Sequence, residues 1–338
     1  MSGMEQARPI NLALQGGGGH GAFAWGVLDR LLETGQLAID AISATSGGAM
    51  NAAVMIDGLE RGGPDLARTN LEAFWHGVSD NEAMLASADR YIRVMMRDWI
   101  QGGMADVGRF SGLMEVSEAL PMAANPLGSI LESLVDFERF RRRQKNPLFV
   151  SATNVRTGKA KLFSGGDVTA EVIMASGCLP YLFPSVEIDG AAYWDGGYSS
   201  NPSLWPFFHG GGTRDVLLVR LYPARRVGIP REPKHILTRI NEITFDNALL
   251  QELRAIAFVN RLVDEKAFGA SDYERHRLHR IDPLPATVDH GDKHWVDNSW
   301  DYFVRLRDAG RDAASAWLVE NCDDVGVRGT FDPAAEFA

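Results

Sequence analysis

Residues Ser43–Ala52 read S-A-T-S-G-G-A-M-N-A. They close a short apolar run, Ile39–Ala44, and open a small-residue helix predicted over Ala49–Asp57. A strand that turns sharply into a helix leaves Ser46 at its tip with a helix N-terminus behind it. Strand and helix backbones nearly touch in such a turn, so the flanking residues must be small. Ala44 meets that need on one side, and Gly47, Gly48 and Ala49 on the other. Upstream, Ile10–Leu14 reads as a buried strand and Ala22–Glu33 as an amphipathic helix with Phe23, Val27, Leu28, Leu31 and Leu32 on its apolar side. Between them lies Gln15-Gly16-Gly17-Gly18-Gly19-His20-Gly21. Strand, glycine loop, helix, strand, helix predicts an α/β protein with a mostly parallel sheet covered by helices on both faces.

A serine before a helix is by itself an ordinary N-cap. Two further segments give it another meaning: the glycine loop, and Tyr193-Trp194-Asp195-Gly196-Gly197-Tyr198 far downstream. With Asn125–Gly128 (N-P-L-G), Ala152–Gly158 (A-T-N-V-R-T-G) and Ala175–Pro180 (A-S-G-C-L-P), they resemble the patatin-like lipid acyl hydrolases from about Asn11 to Trp205. The resemblance implies a three-layer α/β/α fold with a helical insertion. It also implies ester hydrolysis by a Ser-Asp dyad, Ser46 as nucleophile and Asp195 as its base, with no histidine. A serine hydroxyl is inert at neutral pH unless a base within hydrogen-bond reach takes its proton.

The backbone N–H groups of Gly17, Gly18 and Gly19 are candidate oxyanion donors, since they converge only where no Cβ intrudes. Gly47, the residue after the nucleophile, is a further candidate. Gly16, His20, Gly21, Ala44, Gly48, Gly196 and Gly197 support these turns. Two positions depart from the family pattern: Ala44 stands where the elbow usually has glycine, and His20 where the loop usually has Arg or Lys. The imidazole makes any charge at that place pH-dependent near neutrality. The expectation is no cofactor and no metal, because the sequence has no calcium-ligand loop.

The 338 residues are 45% hydrophobic and carry a formal net charge of -10. That balance argues against nucleic acid as the main partner, which would require clustered Lys and Arg. Two local basic groups, Arg139 with Arg141–Arg143 and Arg220 with Arg225 and Arg226, read as a solvated helix end and a solvated loop. Two cysteines far apart, Cys178 and Cys322, make no disulfide framework. The N-terminal M-S-G-M-E-Q-A-R-P does not read as a secretory signal, and no run of roughly 18 apolar residues could span a membrane. The expected location is therefore cytoplasmic, with transient contact at a membrane or lipid-granule surface. The expected partner is a lipid or another apolar acyl ester, and the sequence leaves the oligomeric state open.

Further strands are expected at Leu148–Thr153, Lys161–Phe163 and Asp215–Leu221, and long helices at Arg231–Phe268 and Ser299–Glu320. Six of the 11 methionines fall in Met84–Met122. Flexible thioethers suit either an adaptable acyl-chain cleft or a packed helical layer, and the resemblance makes this stretch the variable insertion, about 80–135. The expected division is an acyl hydrolase domain over 10–207 and a mainly helical C-terminal extension over 208–338, packed on the same domain.

Three other readings compete. Gly16-x-Gly18-x-x-Gly21 with Asp40 about 20 residues on matches a dinucleotide-binding fingerprint. However, Asp40 lies near the start of its strand, whereas a ribose-binding acid belongs at the end. His276, His279, His290 and His294 follow Asp195 and would allow a Ser-Asp-His order, although they read more simply as polar surface residues. The third is an inactive lipid-binding scaffold. Within the hydrolase reading, phospholipid, neutral lipid and intracellular storage polyester (polyhydroxyalkanoate) remain alternative substrates.

Overall fold

The computed structural model describes residues 7–81, 125–142, 147–180, 182–208, 212–223, 228–265, 274–284 and 298–337. The Met-rich stretch, Arg143, Arg225, Arg226, His290 and His294 lie outside the described residues.

The chain opens as the sequence predicts, with slightly longer elements: β1 (Arg8–Leu14), α1 (Gly21–Thr34), β2 (Leu37–Ala44) and α2 (Gly47–Ser79). Helix α2 continues well past the expected end at Asp57. It kinks at Gly63, whose φ of 79° no helix tolerates, and restarts at Pro64, a residue suited to a first helical turn. The order continues with α3 (Pro126–Leu134), α4 (Phe137–Arg142), β3 (Leu148–Asn154), β4 (Ala160–Ser164), α5 (Ala170–Ser176), β5 (Val186–Ile188) and β6 (Ala191–Asp195). It ends with β7 (Asp215–Val219), α6 (Pro233–Asp264), β8 (Arg277–Ile281) and α7 (Trp300–Asn321).

One sheet carries all the strands, in the order β5-β6-β3-β2-β1-β7-β8, with β4 paired to β3. The run β3-β2-β1-β7-β8 is parallel, and β4, β5 and β6 are antiparallel. Helices cover both faces, which makes the fold a three-layer α/β/α. Two of its strands, β7 and β8, come from the region expected to be mainly helical, so the sheet runs on past residue 208.

The parallel strands are buried on both faces, as continuous apolar runs should be: β7 is buried at every position. Phe23, Trp25, Val27, Leu28 and Leu31 of α1 lie in the main core with Ile10, Leu12 and Leu14 of β1. Each such side chain contributes about 1.5–3 kcal/mol by leaving water. On the outer side α1 meets α7 closely; a Cβ at Gly26 would come within 1.9 Å of the Arg307 carbonyl oxygen.

The strand order reverses at β1, with β2 on one side and β7 on the other. The crevice at the carboxyl ends of such strands is where open α/β sheets bind ligands. Leu14 of β1 pairs with Ala44 of β2 and with Val219 of β7, so the three strands end level. The loops that follow β1 and β2, the glycine loop and the serine turn, therefore emerge side by side.

Candidate active site

The sheet register brings Ser46 and Asp195 together. Ala44 pairs with Val150, which puts Ser46, two residues on, level with Ala152. Ala152 pairs with Asp195 on the antiparallel β6. The two residues are thus two strand spacings apart, about 10 Å between backbones. Their side chains meet in that gap, where the Ser46 side chain is a neighbour that lowers the proton affinity of the buried Asp195 carboxyl.

Ser46 sits at φ 53°, ψ −126°, a region that non-glycine residues seldom occupy and that costs of order 1–3 kcal/mol. Its side chain makes no helix-capping bond, so the hydroxyl is not spent as the N-cap that the position suggests. The strain is held by neighbours. The Ser46 N–H donates to Ser176 Oγ at 2.8 Å, and the Gly48 and Ala49 N–H groups donate to the Thr45 carbonyl. A Cβ at Gly48 would lie 2.6 Å from the Leu14 carbonyl oxygen, and one at Gly16 would lie 2.7 Å from both Thr45 O and Ser46 Cβ. Ala44, at the end of β2, is fully buried without distorting the turn.

Asp195 ends β6. Its N–H donates to the Cys178 carbonyl at 2.8 Å, its own carbonyl accepts from Thr153 Oγ1 at 2.8 Å, and its Oδ1 accepts from the Gly197 N–H at 2.8 Å. Gly196 packs against Ser151, whose carbonyl oxygen a Cβ would reach at 2.2 Å. Burial raises the Asp195 carboxyl to a pKa of about 7, with the bonds from Gly197 and Ser46 opposing the rise. A carboxylate with that affinity for protons is matched to base catalysis near neutrality. Burial also pushes the neighbouring Cys178 thiol up to about 12, assisted by the Asp195 charge. It stays a protonated, inert side chain.

The glycine loop lies against the serine turn. A Cβ at Gly47 would stand 3.2 Å from the Gly18 carbonyl oxygen, so the two backbones are in contact. Among the described residues, the N–H groups of Gly17, Gly18, Gly19 and Gly47 have no acceptor. They cluster beside the N-terminus of α2, whose dipole favours negative charge. Gly18 is exposed and takes φ 56°, and its Cβ position is open space. An alanine there is disfavoured by backbone conformation, not by collision. Gly21 begins α1 and donates to the Gly18 and Gly19 carbonyls, while its own carbonyl accepts from Asn51. The His20 ring is buried against Tyr222 and Tyr302, with centroids at 5.3 and 6.4 Å.

Several residues of the site were given no role in the sequence reading. Ser176 holds the Ser46 N–H. Gly177 lies beside the hydroxyl: a Cβ there would be in ordinary contact with Ser46 Oγ at 3.6 Å but would crowd Met50 Cε at 2.8 Å. Asn201 clamps Gly16 on both sides, accepting from its N–H at 2.6 Å and donating to its carbonyl at 3.1 Å. The stretch Ala175–Pro180 was a sequence signal for Ser176 and Gly177; Asn201 had none. Ser176→Ala should leave the buried Ser46 N–H unpaired and cost about 1–3 kcal/mol of stability, read by urea denaturation. Wild-type stability in that variant would show that the turn does not depend on this bond.

The histidine alternative is corrected by His279. It is fully buried, not a surface residue, and its Nε2 and Nδ1 lie 3.0 Å from Asp215 Oδ1 and Thr330 Oγ1. Asp215 is the first residue of β7, at the opposite end of the sheet from Ser46. Against the upward push of burial, hydrogen bonds from His279 and Arg277 hold its carboxyl well below the usual range. His276 packs edge-on to Phe208. Asp40 is likewise away from the glycine loop and accepts from the Thr213 N–H at 2.9 Å. The basic groups also need correction. Arg139 reaches the buried Asp57 at 2.6 Å, and Arg220 is buried between Asp246 and Glu336 at 2.7 and 3.3 Å. No group of three or more His, Cys, Asp or Glu among the described residues could hold a metal ion, and no described helix is long and apolar enough to cross a membrane.

A family model described as patatin-like phospholipase matches residues 12–208. Among solved structures, VipD from Legionella pneumophila is similar at 15% identity and TM-score 0.43, over 92% of this chain and 66% of its own. The ExoU–SpcU complex of the type III secretion system of Pseudomonas aeruginosa is similar at 17% identity and TM-score 0.34, over 94% of this chain and 61% of its own. The chain thus spans under two thirds of the length of either structure. No curated protein matches it.

Proposed function

The chain belongs to the patatin-like phospholipase family, and from that premise we propose that it is a serine hydrolase cleaving fatty-acyl ester bonds of lipids through a Ser46–Asp195 dyad. The observation that carries this reading is a strained, uncapped Ser46 that the sheet register brings beside the buried Asp195 carboxyl, next to backbone donors that have no acceptor among the described residues.

In this reading the Ser46 oxygen attacks the ester carbonyl while Asp195 takes its proton. The carbonyl oxygen becomes an oxyanion and is stabilised by N–H groups of the glycine loop and of Gly47. Such preorganised donors are often the largest single contribution to catalysis. Collapse of the tetrahedral species breaks the bond to the alcohol, which leaves with the proton from Asp195, and an acyl group remains on Ser46. Asp195 then takes a proton from water, whose oxygen attacks the acyl carbon. The fatty acid leaves, and the proton returns to Ser46. We also propose that residues 10–207 carry this chemistry, and that the substrate reaches the site by transient contact with a lipid surface.

Lipid profiling of a mixed extract tests the reading and names the substrate. The wild-type chain is expected to release fatty acids from at least one lipid class, and Ser46→Ala from none. Nucleophile, base and oxyanion donors all come from the chain, so release should persist in the presence of a chelator. An inert wild type would point to a scaffold. Complete, reversible loss on chelation would mean that the dyad account lacks a metal.

A further inference from the structure

We propose that Asp246, on the helix α6 outside the family-matched region, is a positioning residue that sets the glycine loop through Gln15. This inference rests on the hydrolase reading above.

Gln15 is the residue before Gly16, and its side chain is fully buried and fixed at both ends. Its Nε2 donates to Asp246 Oδ1 at 2.6 Å, and its Oε1 accepts from the Leu221 N–H at 2.8 Å. Its backbone N–H donates to the Val219 carbonyl at 3.2 Å. Asp246 is held in turn, since its Oδ2 accepts from the buried Arg220 at 2.7 Å. The direction of the chain where it leaves β1 is therefore set by a carboxylate about 230 residues away in sequence, rather than by packing alone. An ionic and amide network specifies one geometry more sharply than apolar contact, which tolerates sliding.

The same stripe of α6 also touches the turn that carries the base. Phe245 packs on Gly197, where a Cβ would come within 2.2 Å of the ring, and its ring meets Tyr198 at 5.1 Å. Seven residues on, and so on the same helix face, Glu252 accepts from Ser200 Oγ and from the Leu204 and Trp205 N–H groups. One helix thus contacts the start of the oxyanion loop, the Asp195 turn and the strand exit behind it. The relative placement of donors and base is fixed from beyond residue 208, and we infer that the C-terminal region is part of the catalytic unit.

The test measures kcat and KM of the full chain on a soluble chromogenic acyl ester, well below each variant's melting temperature. The variants are Gln15→Met, Asp246→Ala, Asp246→Asn and the Gln15→Met/Asp246→Ala pair. Gln15→Met removes the amide but leaves the Arg220–Asp246 pair intact, so it reports even if Asp246→Ala fails to fold. Misplacing catalytic groups by about 1 Å costs roughly 10²-fold, so Gln15→Met and Asp246→Ala should each lower kcat by about that factor with KM little changed. The pair should be no worse than the worse single variant. Asp246→Asn keeps an acceptor for Gln15 or for Arg220 but not for both, so its rate should lie between those of Asp246→Ala and wild type. The pH of the Asp195 limb should not move. An active wild type matched in kcat by folded Gln15→Met, or additive losses in the pair, would overturn this inference alone. A wild type with no esterase turnover would overturn the hydrolase reading and this inference with it.

Discussion

Ser46→Ala and Asp195→Asn are each expected to lower kcat/KM for any accepted acyl ester by roughly 10⁴- to 10⁶-fold, the scale on which a nucleophile or its base fails. Neither half of the dyad can do the other's work. Without the carboxylate, the Ser46 proton loses the base this mechanism gives it; without the hydroxyl, Asp195 has no nucleophile to activate. The double variant should therefore be no slower than the slower single one, because residues acting together are not additive. Steady-state kinetics on a soluble ester, with the fold checked by circular dichroism, reads this directly. Near wild-type activity in Asp195→Asn would remove the base from the account. His279 could not replace it, since it is committed to Asp215 and Thr330 at the other end of the sheet.

Asp195→Asn should also be more stable than wild type above neutral pH, by a few kcal/mol, since a tenfold change in proton affinity is worth about 1.4 kcal/mol. The sign follows from linkage. The carboxyl has a pKa of about 7 in the folded chain, against about 4 in an unfolded one. Between those values the folded state holds a proton that the unfolded state has released, so stability falls as pH rises through that window. Above about pH 7 the full cost of a buried charge is present. Asparagine stands in for the neutral acid and avoids it. Melting curves from pH 4 to pH 8 should show the variant's advantage growing with pH and vanishing near pH 4. The wild-type rate should fall as pH drops through about 7, where Asp195 takes up its proton and ceases to be a base. An advantage independent of pH, or a rate limb near pH 4, would mean that Asp195 is an ordinary solvated carboxylate.

The first half of the site was legible in the sequence because local rules decide it. Apolar runs of five or six residues, a glycine loop and a small-residue turn leave few alternatives to β1, α1, β2 and the bend at Ser46. Asp195 was visible as a motif, and as a neighbour of Ser46 only through the family resemblance. Its partner lies 149 residues away, and only the pairing of Ala44 with Val150 and of Ala152 with Asp195 brings them together. The strand β6, A-A-Y-W-D, is short and has no alternation to betray it. Strand β8, R-L-H-R-I, looks like surface chain. It is part of the sheet because Asp215 neutralises Arg277 and holds His279. Arg220 misled for the same reason: a cation reads as solvated until the carboxylates of Asp246 and Glu336, from distant elements, are seen around it. Buried charge is legible only in pairs, and the pairs are tertiary.

The central claim, a serine nucleophile activated directly by an aspartate, is tested most directly by locating the acyl-enzyme. The full chain, wild type and Asp195→Asn, would be quenched in acid during turnover of a slowly released ester and mapped by peptide mass spectrometry. The account predicts an acyl adduct on the peptide containing Ser46 in wild type and none in Asp195→Asn. An adduct on another residue, or one that forms on Ser46 equally fast without the Asp195 carboxylate, would contradict it.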